Sequence, residues 1–398
     1  MFSSLKVRNF RIYWFGMLVS LIGSWIQITA QSWLVFQLTN SAFLLGFVGF
    51  LSSIPMFLLS LFTGVLADRV NKKNILIITQ VSFMILAFLL AVLTHLKLIT
   101  PAQIMLIALL NGVVMAFDAP SRQSMIVELV GKTHLPNAIA LNSVAFNSSR
   151  IIGPALAGIL VATIGMSGCF YLNGISFFAV IIALFLIKIN STKEIEQGNS
   201  ALKDLKEGLV YVKNHRLIFA LVSMVAVVSL FGVGYVMLMP IFAERILHVG
   251  IKGLGMLMSA TGVGAVCGAL LLARLGDFRK KGNFLIASVM IFSVSLILFG
   301  FSKSYLFSLI VLVFTGGSSV TAIALVNTLL QTNVPDKLRG RVMGIFMITF
   351  AGIMPFGNLF SGSVAQVWGV SAAIVSSGII CTLFFMVISS RYSAIREI

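Results

Sequence analysis

Charge is what this 398-residue sequence has least of. Asp, Glu, Lys and Arg together make up 10% of it, against 59% hydrophobic residues, too little to clothe the surface of a water-soluble protein. Acidic residues are the scarcer kind: 11 Asp and Glu stand against 28 Lys and Arg, a formal net charge of +17. The three cysteines, Cys169, Cys267 and Cys381, fall inside or at the edge of apolar stretches, so neither a disulfide framework nor a zinc site is suggested. A phosphate-cradling glycine loop with its lysine is missing, which excludes ATP hydrolysis by this chain. No membrane Ser/His/Asp set or zinc-ligand spacing is seen either. An enzyme is not expected, nor a cofactor or resident metal. A small-residue cleavage pattern soon after a basic start is also lacking, so the first apolar stretch is expected to act as its own insertion signal.

Long apolar runs are what the sequence has instead. Twelve blocks lie near 12–38, 44–66, 75–94, 102–120, 139–165, 168–188, 216–240, 253–273, 284–301, 304–327, 342–366 and 370–389. A block of about twenty residues, rising 1.5 Å per residue as a helix, crosses a hydrocarbon core of roughly 30 Å. A β-barrel would show shorter, alternating segments with a polar lumen side. The fold class predicted is an all-α polytopic membrane protein with twelve transmembrane helices.

The basic residues report orientation. With the N-terminus inside, the inner segments hold most of them, including Lys6, Arg8, Arg11, Arg69, Lys72, Lys73, Arg122, Arg279, Lys280, Lys281, Arg339 and Arg341. The outer segments hold only Lys97, Arg245, Lys252 and Lys303. By the positive-inside rule both termini are expected in the cytoplasm, and the excess charge is accounted for by orientation and anionic lipid rather than by nucleic acid.

The one long polar stretch, residues 189–215, separates six blocks from six. The expected division is therefore a bundle of residues 1–188, a cytoplasmic linker of 189–215 and a second bundle of 216–398. Within the linker Leu202, Leu205, Leu209 and Val212 recur at helical spacing against Lys203, Lys206, Glu207 and Lys213, an amphipathic helix suited to the inner membrane surface. The two bundles repeat each other. At a spacing of 209 residues Gly46 falls on Gly255, Asp68 on Asp277 and Lys72 on Lys281. At 204, Gly153, Gly158 and Gly165 fall on Gly357, Gly362 and Gly369. Paired six-helix pseudo-repeats are the internal symmetry of transporters that bind solute at the repeat interface.

The charged stretch GVLADRVNKKN (64–74), between the second and third blocks, resembles the cytoplasmic loop signature of the major facilitator superfamily. DAPSRQSMIVELV (118–130), NAIALNSVAFNSSRIIGPALAG (137–158) and VPDKLRGRVMG (334–344) are similar to the branch of that superfamily holding enterobactin-type siderophore exporters and macrolide efflux pumps. The resemblance implies the major facilitator fold, alternating access and a bacterial inner-membrane location. It implies that Asp68 faces the N-terminus of the eleventh helix near Arg341 and Asp277 that of the fifth, latching the inner side. Ala273 and Phe278 replace the glycine and arginine in the second copy. GPALAG is similar to an antiporter signature, which points to a proton as coupling ion. Asp68, Arg69, Asp118, Asp277, Asp336 and Arg341 form the expected gating and coupling set.

Polar side chains in the membrane are costly and mark cavities or helix contacts. Gln27, Gln31, Asn111, Arg150, Ser229, Tyr235 and Ser318 are the expected substrate-cavity residues, and Asp118 is the best placed titratable group. Such a lining, among Met, Phe and Trp, suits an amphiphilic, drug-like small molecule, and with the export and proton coupling that the resemblance implies the expectation is a proton-coupled exporter of such compounds, working as a monomer. The alternatives are a siderophore exporter, a lysophospholipid flippase and a receptor that keeps the fold without transport. Arg150 divides the first two readings: if it is paired with Asp118, a neutral or cationic drug is favoured; if it reaches the cavity, an anionic compound is.

Overall fold

The computed structural model describes residues 3–187, 201–276, 278–392 and 395–396. Among them no strand is found, and eleven helices are long and apolar enough to cross a membrane. One of these, Thr133–Leu186, has 54 residues, about 80 Å at 1.5 Å each and enough for two crossings. It bends at Gly165, where φ is +74°. The twelve expected crossings are thus present. The helices are Arg8–Thr39, Ala42–Arg69, Lys72–His95, a run Pro101–Leu186 holding the fourth to sixth, Arg216–Ile246, Gly250–Leu275, Lys281–Phe301, Tyr305–Asn333, Asp336–Trp368 and Val370–Arg391.

Glycine punctuates the chain where an L side chain would be strained. Gly131 (φ +66°) turns the fourth helix into the fifth and Gly165 the fifth into the sixth, while Gly369 (φ +86°) does the same between the eleventh and twelfth. The expected gap between 120 and 139 is therefore no loop but continuous helix on both sides of one left-handed residue. The fourth helix starts with a reciprocal cap: Thr100 accepts from the Gln103 N–H, and Gln103 accepts from the Thr100 N–H, with Pro101 at the first position.

The seventh helix is the exception to regularity. It runs as α-helix over Arg216–Val227, widens to π-helix over Val228–Gly232, resumes over Tyr235–Ile241 and widens again over Phe242–Ile246. Gly232 ends the first interruption and Gly234 follows it, and Pro240, which has no N–H to give, precedes the second. Its apolar block was expected to end near 240; the helix passes through the proline for another turn.

The chain forms two compact units, one of Met1–Asn40, Ile54–Gln197 and Ile251–Ser259, the other of Ser41–Ser53, Gly198–Gly250 and Ala260–Ile398. Each unit thus takes in a short piece of a helix whose remainder belongs to the other, and glycine explains why. In the second unit a Cβ on Gly46 would strike the Asn358 carbonyl and lie 2.8 Å from the Gly362 Cα. In the first, a Cβ on Gly255 would strike the Pro154 carbonyl and lie 3.2 Å from the Gly158 nitrogen. Backbones approach this closely only where side chains are absent. The repeat spacings seen in the sequence pair these same glycines.

The linker helix covers Ala201–Asn214. Its expected stripe is turned: Gly208 and Val212 are buried, Gly208 against Ile345 and Arg341, while Leu209 and Val210 are exposed. Leu202 and Lys203 lie outside the side chains described.

Candidate functional site

The densest polar chemistry is in the first unit, around Asp118. The fourth helix carries this residue fully buried, with 1% of its surface accessible. Four donors converge on its carboxylate. Thr79 Oγ1 at 2.8 Å and Gln80 Nε2 at 2.7 Å donate to Oδ1, and Arg122 Nε at 3.0 Å and Nη2 at 2.6 Å donate to Oδ2. Thr79 and Gln80 are neighbours on the third helix, and Arg122 sits one turn beyond Asp118 on the fourth, so two helices build the whole arrangement. The buried Gln80 Oε1 has no hydrogen-bond partner among the described residues.

The partner of Asp118 is therefore Arg122, not Arg150. The fifth helix lies between the bends at Gly131 and Gly165, and Arg150 falls about 28 Å from one and about 22 Å from the other, close to the middle of the span. The face of this helix that carries Leu141, Ala145 and Ser149 is buried. Arg150 is half-buried and shares the opposite face with Ser143 and Asn147. No hydrogen bond or ion pair among the described residues engages it. An unpaired guanidinium at such depth costs several kcal/mol, by the lower estimates about 3.

The other expected residues are placed as follows. Gln27 is buried against the sixth helix and accepts from Asn173 Nδ2 at 2.7 Å, an amide pair joining two helices. Gln31 is half-buried, and Asn111 donates to the Ile107 carbonyl of its own helix at 2.9 Å. Ser318 does the same to Phe314 at 2.6 Å. Ser229 is buried in the first π-helical stretch, its hydroxyl unpartnered among the described residues, and the Tyr235 ring packs edge-on to Phe299.

Of the expected gating set, the backbones of Asp68 and Arg69 close the second helix, while their side chains, and Asp277 altogether, lie outside the described residues. Asp336 opens the eleventh helix, 86% exposed, with Arg339 at 2.5 Å. Arg341 is held by Glu207 of the linker helix. The lysines of the charged stretch are structural pins: Lys72 pairs with Glu128 at 2.6 Å, and Lys73 donates to the Ile187 carbonyl at the end of the sixth helix at 2.7 Å. Sequence reading missed Thr79, Gln80 and Glu207. Their partners come from other helices, and no spacing rule reaches that far.

Comparison with known proteins agrees with this architecture. The family model described as transmembrane secretion effector matches residues 1–398. The staphyloferrin A transporter of Staphylococcus aureus is 28% identical over 377 residues, covering 93% of this chain and 94% of that protein. Macrolide efflux protein A of Streptococcus pyogenes is 23% identical over 391 residues, covering 96% and 95%. Among solved structures, a bacterial homologue of the human lysosomal transporter Spinster, inward-facing and unoccupied, superposes with a TM-score of 0.74 at 14% identity, over 98% of both chains.

Proposed function

Because this chain belongs to the transmembrane secretion effector family of the major facilitator superfamily, we propose that it exports an anionic amphiphile across the bacterial inner membrane. That it is a multi-pass membrane transporter and not an enzyme follows from the family itself. The anionic substrate is the step beyond, and Arg150 carries it. Asp118 is spoken for by Arg122, so the condition that favoured a neutral or cationic drug is not met, and the guanidinium at mid-span is left to a substrate carboxylate, phosphate or catecholate. The ordering expected from the sequence, drugs before siderophores, is thereby reversed. The relative named as a staphyloferrin A transporter is in keeping with this reading.

Coupling runs through Asp118 in this account. Oδ2 holds either Arg122 or a proton, and the exchange of one for the other links protonation to movement of the inner part of the fourth helix. The amphipathic linker and both termini lie on the cytoplasmic side. A deletion strain tests the reading: siderophore secretion and drug susceptibility are measured together at low and ample iron. Loss of secretion in low iron with unchanged drug tolerance is expected. Sensitivity to several unrelated lipophilic drugs with normal siderophore release would return the drug reading to first place, and leaflet-to-leaflet movement of lysophospholipid would replace both.

A further inference from the structure

A second site lies away from Arg150, where the ends of the first and third helices meet the start of the sixth within the first unit. A cavity of about 390 Å³ opens there, lined by Lys97, His95, Thr94 and Ser167 together with apolar side chains such as Leu34 and Ile99. Its size is that of small-molecule sites, and its mixed lining is what an amphiphile needs. Among the described residues no acidic side chain lines it.

The lysine is held there by an unusual backbone. The third helix ends at His95, and the Leu98 N–H bonds the Leu93 carbonyl at 2.9 Å while the Lys97 N–H bonds that of Thr94 at 3.1 Å. This is the Schellman arrangement, whose left-handed position normally takes glycine or asparagine. Lys97 occupies it with φ +60°, a conformation that costs an L residue roughly 1–2 kcal/mol. A strained residue at the rim of a cavity is a reason to look for a ligand. Lys97 is also one of only four bases that the charge asymmetry assigns to the outer side. On either side of it Leu96 and Leu98 are 56% and 60% exposed, apolar side chains turned outward at the end of a membrane helix.

We propose that this cavity holds the headgroup of an anionic phospholipid, its phosphate between Lys97 and His95 and its glycerol and upper acyl carbons on the apolar wall. Lys97 supplies the charge match, the His95 ring a hydrogen-bonding group beside it, hydroxyls from Thr94 and Ser167 further polar contacts, and exposed Leu96 and Leu98 mark where the acyl chains pass back to the bilayer. Lysine near an anionic surface contributes about 1 kcal/mol, so removal of this one lowers lipid preference about fivefold.

Placing the site in the outer leaflet rests on the orientation proposed above, but the test does not. The whole protein is released from nanodiscs of equal phosphatidylglycerol and phosphatidylcholine, and retained lipids are counted by native mass spectrometry. Wild type should retain phosphatidylglycerol in preference. Lys97→Gly suits the left-handed backbone, so it should keep or raise the melting temperature while losing about fivefold of that preference. Lys97→Arg should keep most of it, and Lys303→Gln, another base assigned to the outer side, should behave as wild type. Unchanged preference in Lys97→Gly, or an equal loss in Lys303→Gln, would overturn the site. Displacement by inorganic phosphate in excess would overturn the lipid in favour of a free anion. In each case the export reading stands.

Discussion

The two repeats place opposite chemistry at corresponding positions. At the 204-residue spacing Asp118 falls on Ala322 and Arg122 on Val326, and at 209 Gln80 falls on Val289. In the first unit these residues form a buried, four-donor charge cluster. In the second Ala322, Val326 and Val289 line one apolar cleft with Met224, Val225 and Val228. The same spacing lays Arg150 on Met354. Duplication thus preserved the scaffold, while the positions that match Asp118, Arg122 and Arg150 carry apolar residues in the second copy. The second copy carries irregularity instead: its first helix is interrupted twice by π-helix, whereas the first helix of the other copy runs unbroken over Arg8–Thr39. The difference sets the residues that the proposed function calls on, Asp118, Arg122 and Arg150, in the first repeat, with apolar counterparts at the matching positions of the second.

Breaking the asymmetry at its centre should have the largest effect. Arg122→Val gives the first repeat the valine of the second but leaves Asp118 buried without its cation, and should cost about 3–5 kcal/mol, read as thermal unfolding in detergent. Next comes Arg150→Met, the residue of the other repeat. Loss of a charge-assisted contact of about 1.5–3 kcal/mol should weaken solute binding roughly tenfold to a hundredfold, with stability unchanged or improved because an unpaired charge has left the membrane. Equal affinity in this variant, measured by calorimetry with an anionic catecholate, would remove Arg150 from the substrate site.

The features that the repeats share should respond alike. Gly46→Ala and Gly255→Ala each push a methyl into backbone and should each cost about 1–3 kcal/mol. Gly344→Ala, which meets nothing within 4 Å in the eleventh helix, should be neutral or stabilise by up to about 1 kcal/mol. A large cost at only one of the paired glycines would show that the two seams are not equivalent. The smallest effect is expected at the partly exposed ion pairs. Glu128→Gln in the first unit and Glu207→Gln in the second should each change stability by less than about 1 kcal/mol, because water and salt screen them.

What the sequence disclosed follows from how local each feature is. Crossing helices need only a long apolar run, and all twelve were legible. The glycine seams were legible as repeats because both copies kept the same residues at the same spacing. Asp118 and Arg122 stand on one helix face, a spacing open to reading, yet the distant Arg150 competed as partner because depth in the membrane cannot be judged from helix ends that sequence places poorly. The turn at Gly131 was such an end: without its left-handed backbone the fourth and fifth helices looked shorter and Arg150 shallower. The Gln27–Asn173 pair and the grip of Glu207 on Arg341 join residues far apart in the chain, and no periodicity announces them. The interruption of the seventh helix did have a signal, two glycines around Val233 and Pro240 further on, overlooked because the hydropathy runs through them.

The central claim is that the charge cluster of the first repeat couples transport and does not merely hold helices together. The double variant Asp118→Ala/Arg122→Val writes the second repeat's residues into the first and removes both charges at once, so neither is stranded, and stability should return to within about 1–2 kcal/mol of wild type. Gradient-driven uptake into inverted membrane vesicles is the decisive reading. The account predicts a folded protein that still binds solute but accumulates none under an imposed proton gradient. Accumulation at the wild-type rate would contradict it and leave Asp118 and Arg122 as a structural pair.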